Sequence, residues 1–136
     1  MRFPPVNARL PHMLHGADYN PEQWTDMPEV WDEDVRMMGK ARCNVMAVGV
    51  FSWVMLEPEE GRYRFDWLDA TMDKMAAKGV YAALATPSSA KPAWMSRKYP
   101  EIRRVLADGR REPHHWRHNN CYSSPVYREK IALMDA

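Results

Sequence analysis

Three short apolar runs divide this chain at similar intervals: Met13–Tyr19, Asn44–Val50 and Val80–Ala85. The run Asn44–Val50 carries apolar residues on both alternating faces, as expected for a strand that is covered on both sides. Each run leads into a segment that mixes polar and aromatic residues. Helical patterns fill the intervals, and this alternation is typical of parallel strands joined by right-handed crossovers. The sequence therefore predicts an α/β fold with a parallel sheet.

The intervals carry the i, i+4, i+7 spacing of amphipathic helices, with one stripe at Trp31, Val35 and Met38 and another at Leu68, Met72 and Met75. We expect the first helix to start at about Pro28 and to end near Ala41, since proline suits a first helical turn. The second helix is expected to be capped by Asp66 and to stop at Gly79. A short helix that carries Trp94 is expected over Pro92–Lys98.

A third outer helix is expected over Val126–Ala136, with Ser124-Pro125 as its cap and first turn. The chain then holds about three βα units in 136 residues, whereas a complete (β/α)8 barrel needs about 250 residues. We therefore expect the chain to be the N-terminal part of a longer protein, as about three βα units of a (β/α)8 TIM barrel would be. A small, self-sufficient three-stranded α/β domain is the alternative.

The bulk composition argues against several classes of partner. With 46% hydrophobic residues and a net charge of +1, the chain has the composition of a globular protein with one core. No apolar stretch approaches the roughly 20 residues of a membrane span, and the N-terminus has no apolar run typical of a signal peptide. We therefore expect a cytoplasmic protein with no nucleic-acid and no membrane partner. The two cysteines, Cys43 and Cys121, do not indicate a disulfide framework, although the sequence does not exclude a single disulfide between them.

Two acidic residues follow predicted strands, Glu22 after the first and Glu57 after the second. Ligands bind at this end of parallel strands, and a glycosidase needs two carboxylates about 5 to 9.5 Å apart. For both residues we favour a role as hydrogen-bonding partners that hold loops or bind substrate hydroxyls. Phe51 and Trp53, at the end of the second run, fit either core packing or a ligand site.

A long irregular segment follows the third run, and long loops in compact proteins are usually functional. It contains the potential zinc ligands His114, His115, His118 and Cys121. A structural zinc site needs four ligands and a catalytic site usually three, so we favour loop histidines beside one buried cysteine. Clustered arginines make the segment basic, but no nucleic-acid-binding motif accompanies them.

Two other functions stay open on the residues alone. A non-catalytic carbohydrate-binding module would use Trp24, Trp53 and Trp94 as stacking platforms for sugar rings. A zinc or nucleic-acid binding element would be built on Arg103–Cys121.

Four segments, in the same order, resemble glycoside hydrolase family 42, the β-galactosidases. They are GADYNPEQW (16–24), GVFSWVMLEPEEGRYRFDWLD (49–69), ATPSSAKPAW (85–94) and RHNNCYSSPVYR (117–128). The resemblance extends over nearly the whole chain from His15 onward. It implies that residues 1–136 are the N-terminal portion of a (β/α)8 catalytic domain. It also implies retaining hydrolysis of terminal non-reducing β-D-galactose in a small-molecule β-galactoside, and a homotrimer of the full-length protein.

The resemblance assigns roles to individual residues. Both catalytic glutamates of the family would lie downstream of this chain, so neither Glu22 nor Glu57 takes that role and no residue here is expected to be catalytic. Arg117 matches an arginine that contacts galactose, and His118 occupies the position that carries this arginine in some members. Cys121 corresponds to a structural zinc ligand of some members, whose other cysteines would again be downstream. No cofactor is expected to be required for catalysis.

Overall fold

The fold is that of a computed structural model, which describes residues 3–4, 8–10, 12–115 and 117–136. The helices are α1 (Glu29–Lys40), α2 (Trp53–Leu56), α3 (Asp66–Ala76), α4 (Ala93–Lys98) and α5 (Pro125–Met134), with 3-10 turns at Pro21–Trp24 and Pro100–Ile102. The strands are β1 (Val45–Val48) and β2 (Tyr81–Leu84), and they pair in parallel with Val45 opposite Tyr81. Helix α3 lies between the two strands in sequence, so the predicted parallel α/β pattern is confirmed.

The first predicted strand, Met13–Tyr19, is an extended segment and not a regular strand. It runs parallel to β1, where the amide of Ala47 donates to the carbonyl of Ala17 at 3.0 Å and the amide of Tyr19 donates to the carbonyl of Ala47 at 2.8 Å. Near its start, the side chain of Asn44 accepts a hydrogen bond from the amide of His15 and donates one to the carbonyl of Met13. Because the side chain of Asn44 forms hydrogen bonds with these two backbone groups, they do not take part in a regular ladder with β1.

Gly16 allows the extended segment to lie directly against β1. A Cβ atom at this position would be 1.5 Å from the carbonyl oxygen of Val45, a separation that no side chain tolerates. Glycine is the residue that permits two backbones to approach so closely. The packing of the first βα unit therefore depends on this one residue.

The helix ends agree with the sequence to within a few residues, except that α5 ends at Met134 instead of continuing to Ala136 and that one predicted cap is wrong. Helix α3 begins at Asp66 itself, with Phe65 at the N-cap position and no side-chain hydrogen bond there, so the prediction that Asp66 is the cap is wrong. Helix α5 is capped as predicted, because the amide of Tyr127 donates to the hydroxyl of Ser124. Within the part of the chain that the structure describes, no helix is both long and apolar enough to cross a membrane.

Apolar side chains form two clusters. The first packs β1 against the outer helices and contains Tyr19, Val35, Met38, Met46, Val48, Leu56, Leu68, Met75 and Val80. The second lies beneath the segment that follows β2 and contains Trp53, Met95, Ile102 and Tyr127. The two strands differ in burial, since Val48 in β1 is fully buried whereas Tyr81 and Leu84 in β2 are 55% and 60% exposed.

Candidate functional site

Two loops follow the carboxyl ends of the strands. The β1 loop comprises residues 49–65, and the β2 loop comprises residues 85–124. Because the carboxyl ends of parallel strands meet at one edge of a sheet, ligands of α/β proteins bind there. The two loops are in contact: the indole nitrogen of Trp94 donates to the carbonyl of Glu57 at 2.9 Å. In a second contact, the guanidinium carbon of Arg117 lies 4.9 Å from the ring centroid of Phe51.

Glu57 is committed to holding the β1 loop. Its side chain is only 4% exposed. One carboxylate oxygen accepts a hydrogen bond from the indole nitrogen of Trp53 at 2.8 Å, and the other accepts one from the amide of Gly61 at 2.8 Å. Both oxygens of the carboxylate are thus used within the loop, which is the loop-holding role that the sequence pattern favours.

Glu22 lies in the 3-10 turn Pro21–Trp24 and is partly buried beside the β1 loop. Burial raises the pKa of its carboxyl, and the neighbouring hydroxyl of Ser52 acts in the opposite direction. A raised pKa is common at catalytic acids but also at buried structural carboxyls. Since Glu57 is occupied by its own loop, the two residues do not supply the free carboxylate pair that a glycosidase requires.

Arg117 and His118 are adjacent but contact different parts of the structure. The exposed side chain of Arg117 reaches Phe51 at the end of β1. His118 has a left-handed backbone with φ of 61°, and its ring nitrogen Nδ1 lies 3.3 Å from the hydroxyl of Tyr122. Its amide donates to the carbonyl of Ser89 at 3.0 Å. Arg117 therefore contacts the β1 loop through Phe51, whereas His118 contacts other residues of the β2 loop.

The potential zinc ligands of the β2 loop have other partners. Nδ1 of His114 lies 3.0 Å from the hydroxyl of Ser96, and Nε2 of His115 lies 2.7 Å from a carboxylate oxygen of Glu112. Cys121 is a free, partly buried thiol, as is the other cysteine of the chain, so the two form no disulfide. Among the described residues, no three His, Cys, Asp or Glu side chains are placed to hold a metal ion.

The β2 loop buries polar residues that sequence reasoning missed, namely Lys91, Glu112, Asn119 and Asn120. The ammonium group of Lys91 donates to the side-chain oxygen of Asn119. Burial lowers the pKa of Lys91 to about 8. Glu112 forms an ion pair with Arg104, and its other carboxylate oxygen lies 2.7 Å from Nε2 of His115. No periodicity marks such residues; the available signals are their position in a long irregular loop and, for all but Glu112, their place in segments that carry the family resemblance.

The three tryptophans proposed as stacking platforms do not form a shared surface. Trp53 is fully buried, and its ring lies 6.2 Å from that of Tyr127 in the second apolar cluster. Trp94 is partly buried and its indole nitrogen is hydrogen-bonded. Trp24 lines a cleft of about 440 Å³ beside α1, to which the β2 loop contributes no lining residue. A carbohydrate-binding surface that uses all three rings is therefore not supported, because the ring of Trp53 is buried and cannot stack on a sugar.

Comparison with known proteins gives a consistent result. A family model described as "Beta-galactosidase", that of glycoside hydrolase family 42, matches residues 18–136. Beta-galactosidase Pbg of Clostridium perfringens is 58% identical over 133 residues, which are 98% of this chain and 19% of that protein. Beta-galactosidase BglY of Alicyclobacillus acidocaldarius is 51% identical over 131 residues, which are 96% of this chain and 19% of that protein.

A solved structure extends the similarity to the fold. The beta-galactosidase from Rahnella sp. R3 superposes with a TM-score of 0.93 at 57% identity, over 98% of this chain and 20% of that one. The predicted resemblance and the (β/α)8 fold class are thereby confirmed, although the chain spans only 19% of the length of the curated relatives described above. The chain belongs to glycoside hydrolase family 42, the β-galactosidases.

Proposed function

We propose that the protein containing this chain is a β-galactosidase. It would release terminal non-reducing β-D-galactose from small-molecule β-galactosides with retention of configuration. The observation that supports this most strongly is the placement of an exposed guanidinium, that of Arg117, over Phe51 at the carboxyl end of β1, in a chain that resembles β-galactosidases over nearly its whole length. A guanidinium group suits sugar hydroxyls because its several donors are rigidly arranged.

In this proposal the chain contributes substrate binding and the shape of the site, but not the bond-breaking groups. A retaining glycosidase needs two carboxyl groups about 5 to 5.5 Å apart. Glu57 is unsuited because both its oxygens are hydrogen-bonded within its loop. Both catalytic glutamates are therefore proposed to come from outside residues 1–136.

Assembly and cofactors belong to the same proposal. We propose a homotrimer of the full-length protein, no cofactor in catalysis, and a structural zinc ion that Cys121 holds together with ligands from outside the described residues. The family resemblance alone supports these points. A cytoplasmic location likewise stays a prediction from the sequence.

The test is an assay of the full-length protein with p-nitrophenyl β-D-galactoside, with the α-anomer of the same substrate as control. We expect hydrolysis of the β-anomer only, and proton NMR of the first product should show β-galactose before mutarotation. Absence of hydrolysis would contradict the proposed activity. Release of α-galactose first would contradict retention, and binding of galactose without hydrolysis would favour a carbohydrate-binding module.

A further inference from the structure

Lys91 is buried in the β2 loop at 4% exposure. Burying an ammonium group is costly unless hydrogen bonds compensate for the lost water. Its ammonium donates to the side-chain oxygen of Asn119, which is itself 1% exposed. Two buried polar side chains far apart in sequence thus meet beneath the surface of the loop, and their contact fixes one part of the loop against another.

Asn119 carries this restraint into the segment that bears Arg117. Its side-chain nitrogen donates to the carbonyl of His115 at 2.7 Å, so one amide group ties together the two ends of this segment. The backbone carbonyl of Asn119 accepts a hydrogen bond from the amide of Arg104 at 3.1 Å. The segment is therefore restrained through Asn119 on both sides.

A second restraint comes from the residues next to Lys91. The carbonyl of Ser89 accepts a hydrogen bond from the amide of His118 at 3.0 Å, and His118 adopts the left-handed conformation. This conformation is uncommon for a residue with a side chain and persists only where the surroundings impose it. The 89–91 stretch thus holds the backbone on the C-terminal side of Arg117.

We propose that Lys91 is a positioning residue for galactose binding: through Asn119 it holds residues 117–119, so that Arg117 lies over Phe51 beyond the end of β1. This role rests on the proposed function. Lys91 acts through a buried hydrogen bond and does not contact the sugar. Its removal therefore weakens sugar binding by no more than the removal of Arg117 itself.

The test compares Lys91→Met with the parent in the full-length protein, by KM for p-nitrophenyl β-D-galactoside and by the inhibition constant for free galactose. We expect both constants to rise about tenfold, the usual effect of one lost charged hydrogen bond. In the Arg117→Ala background the same change should add less than about twofold, because coupled residues are not additive. Lys74→Met is the matched control, since Lys74 lies on α3 and pairs with Asp32 of α1.

A lysine that only supports global folding would lower activity by the same factor in both backgrounds, and that result would overturn the proposal. Unchanged constants in a folded Lys91→Met protein would also overturn it. If Lys91→Met does not fold, Asn119→Asp is tested instead. This change keeps an acceptor for Lys91 but removes the donor to the carbonyl of His115. An unchanged inhibition constant for galactose in this variant would also overturn the proposal. A parent protein that does not hydrolyse the substrate contradicts the proposed function instead.

Discussion

The apolar layer around β1, which is the first apolar cluster, consists of hydrophobic side chains, whereas the β2 loop buries charged and polar side chains as well as apolar ones. In the layer, Val48 and Met75 are fully buried among other apolar residues. In the loop, Lys91 and Asn119 are buried and joined by a hydrogen bond. Apolar burial is non-directional and grows with area, whereas a buried hydrogen bond fixes orientation and is costly to leave unmade. The layer therefore supplies stability, and the loop supplies the geometry of the candidate site.

The largest expected effect is on catalytic activity, because neither the layer nor the β2 loop is proposed to supply the catalytic carboxylates. Residues 1–136 expressed alone should show no measurable hydrolysis of a chromogenic β-galactoside, because the proposed function places the carboxylate pair of the reaction outside them. Loss of the groups that carry the chemistry removes several powers of ten in rate. Hydrolysis by the pure fragment that is abolished by Glu22→Gln or Glu57→Gln would show this to be wrong.

The next effect tests the layer. Gly16→Ala in the full-length protein should destabilise the fold by about 3 kcal/mol, the upper end of the range of about 1–3 kcal/mol typical of overpacking, since a Cβ here would lie 1.5 Å from a backbone oxygen of Val45. The midpoint of urea unfolding measures it. Gly39→Ala is the control, because a Cβ there meets nothing within 4 Å in α1 and should be neutral or mildly stabilising.

The loop is tested through its exposed arginine. Arg117→Ala should leave the fold intact and reduce kcat/KM about tenfold to more than a hundredfold, which corresponds to about 1.5–3 kcal/mol for a lost charged hydrogen bond. Steady-state kinetics with thermal unfolding as a fold check measure both quantities. His118→Ala is the companion variant. If only His118→Ala loses activity, the sugar contact belongs to His118 and not to Arg117. If neither variant loses activity, the β2 loop does not line the sugar site.

Glu57→Gln sharpens the distinction between a loop-holding and a catalytic carboxylate. A glutamine side chain has one acceptor oxygen, so it leaves the amide of Gly61 or the indole of Trp53 without its partner. We expect a loss of about 1–3 kcal/mol in stability, with kcat retained per folded molecule. A stable protein with a kcat lowered by orders of magnitude would instead place Glu57 in the chemistry.

The smallest effect is a pH-dependent one at Glu60. Hydrogen bonds from Lys130, Lys98 and Tyr99 lower the pKa of Glu60 from 4.5 to about 2. Because the folded pKa is the lower one, the stabilisation is present above pH 4.5 and is lost as the pH falls through about 2. In this solvent-accessible position we expect about 1 kcal/mol at most.

Thermal unfolding of Glu60→Gln at pH 7 and at pH 3 measures this contribution, and its deficit relative to the parent should shrink at the lower pH. Glu59→Gln is the control, since Glu59 forms only an exposed pair with Arg62 at 3.7 Å. An equal deficit at both pH values would contradict the role assigned to the charge of Glu60.

Much of the layer was predictable because its signals are local and periodic. The stripe at Trp31, Val35 and Met38 predicts the buried face of α1, and all three residues are buried. Ser124 was recognised as a cap from its position before proline. The irregular path of the first segment was not predictable, because the side chain of Asn44 takes backbone groups that a strand ladder would otherwise use.

The site was predictable only in part. The resemblance pointed to Arg117, and the strand-end position pointed to Glu57, whose burial and two donors then showed its structural role. Lys91 and Asn119 lie in two of the segments that carry the resemblance, but no pattern predicts their contact, because it joins positions far apart in an aperiodic loop. Buried hydrogen bonds of this kind depend on tertiary geometry, which composition and spacing do not encode.

The most direct test of the central claim is a crystal structure of the full-length protein with bound galactose. We predict that a guanidinium nitrogen of Arg117 lies within about 2.7–3.2 Å of a sugar hydroxyl. We also predict that Glu57 keeps its hydrogen bonds with Trp53 and Gly61. A galactose that contacts neither Arg117 nor any other residue of the β2 loop, or that draws Glu57 away from its loop partners, would contradict it.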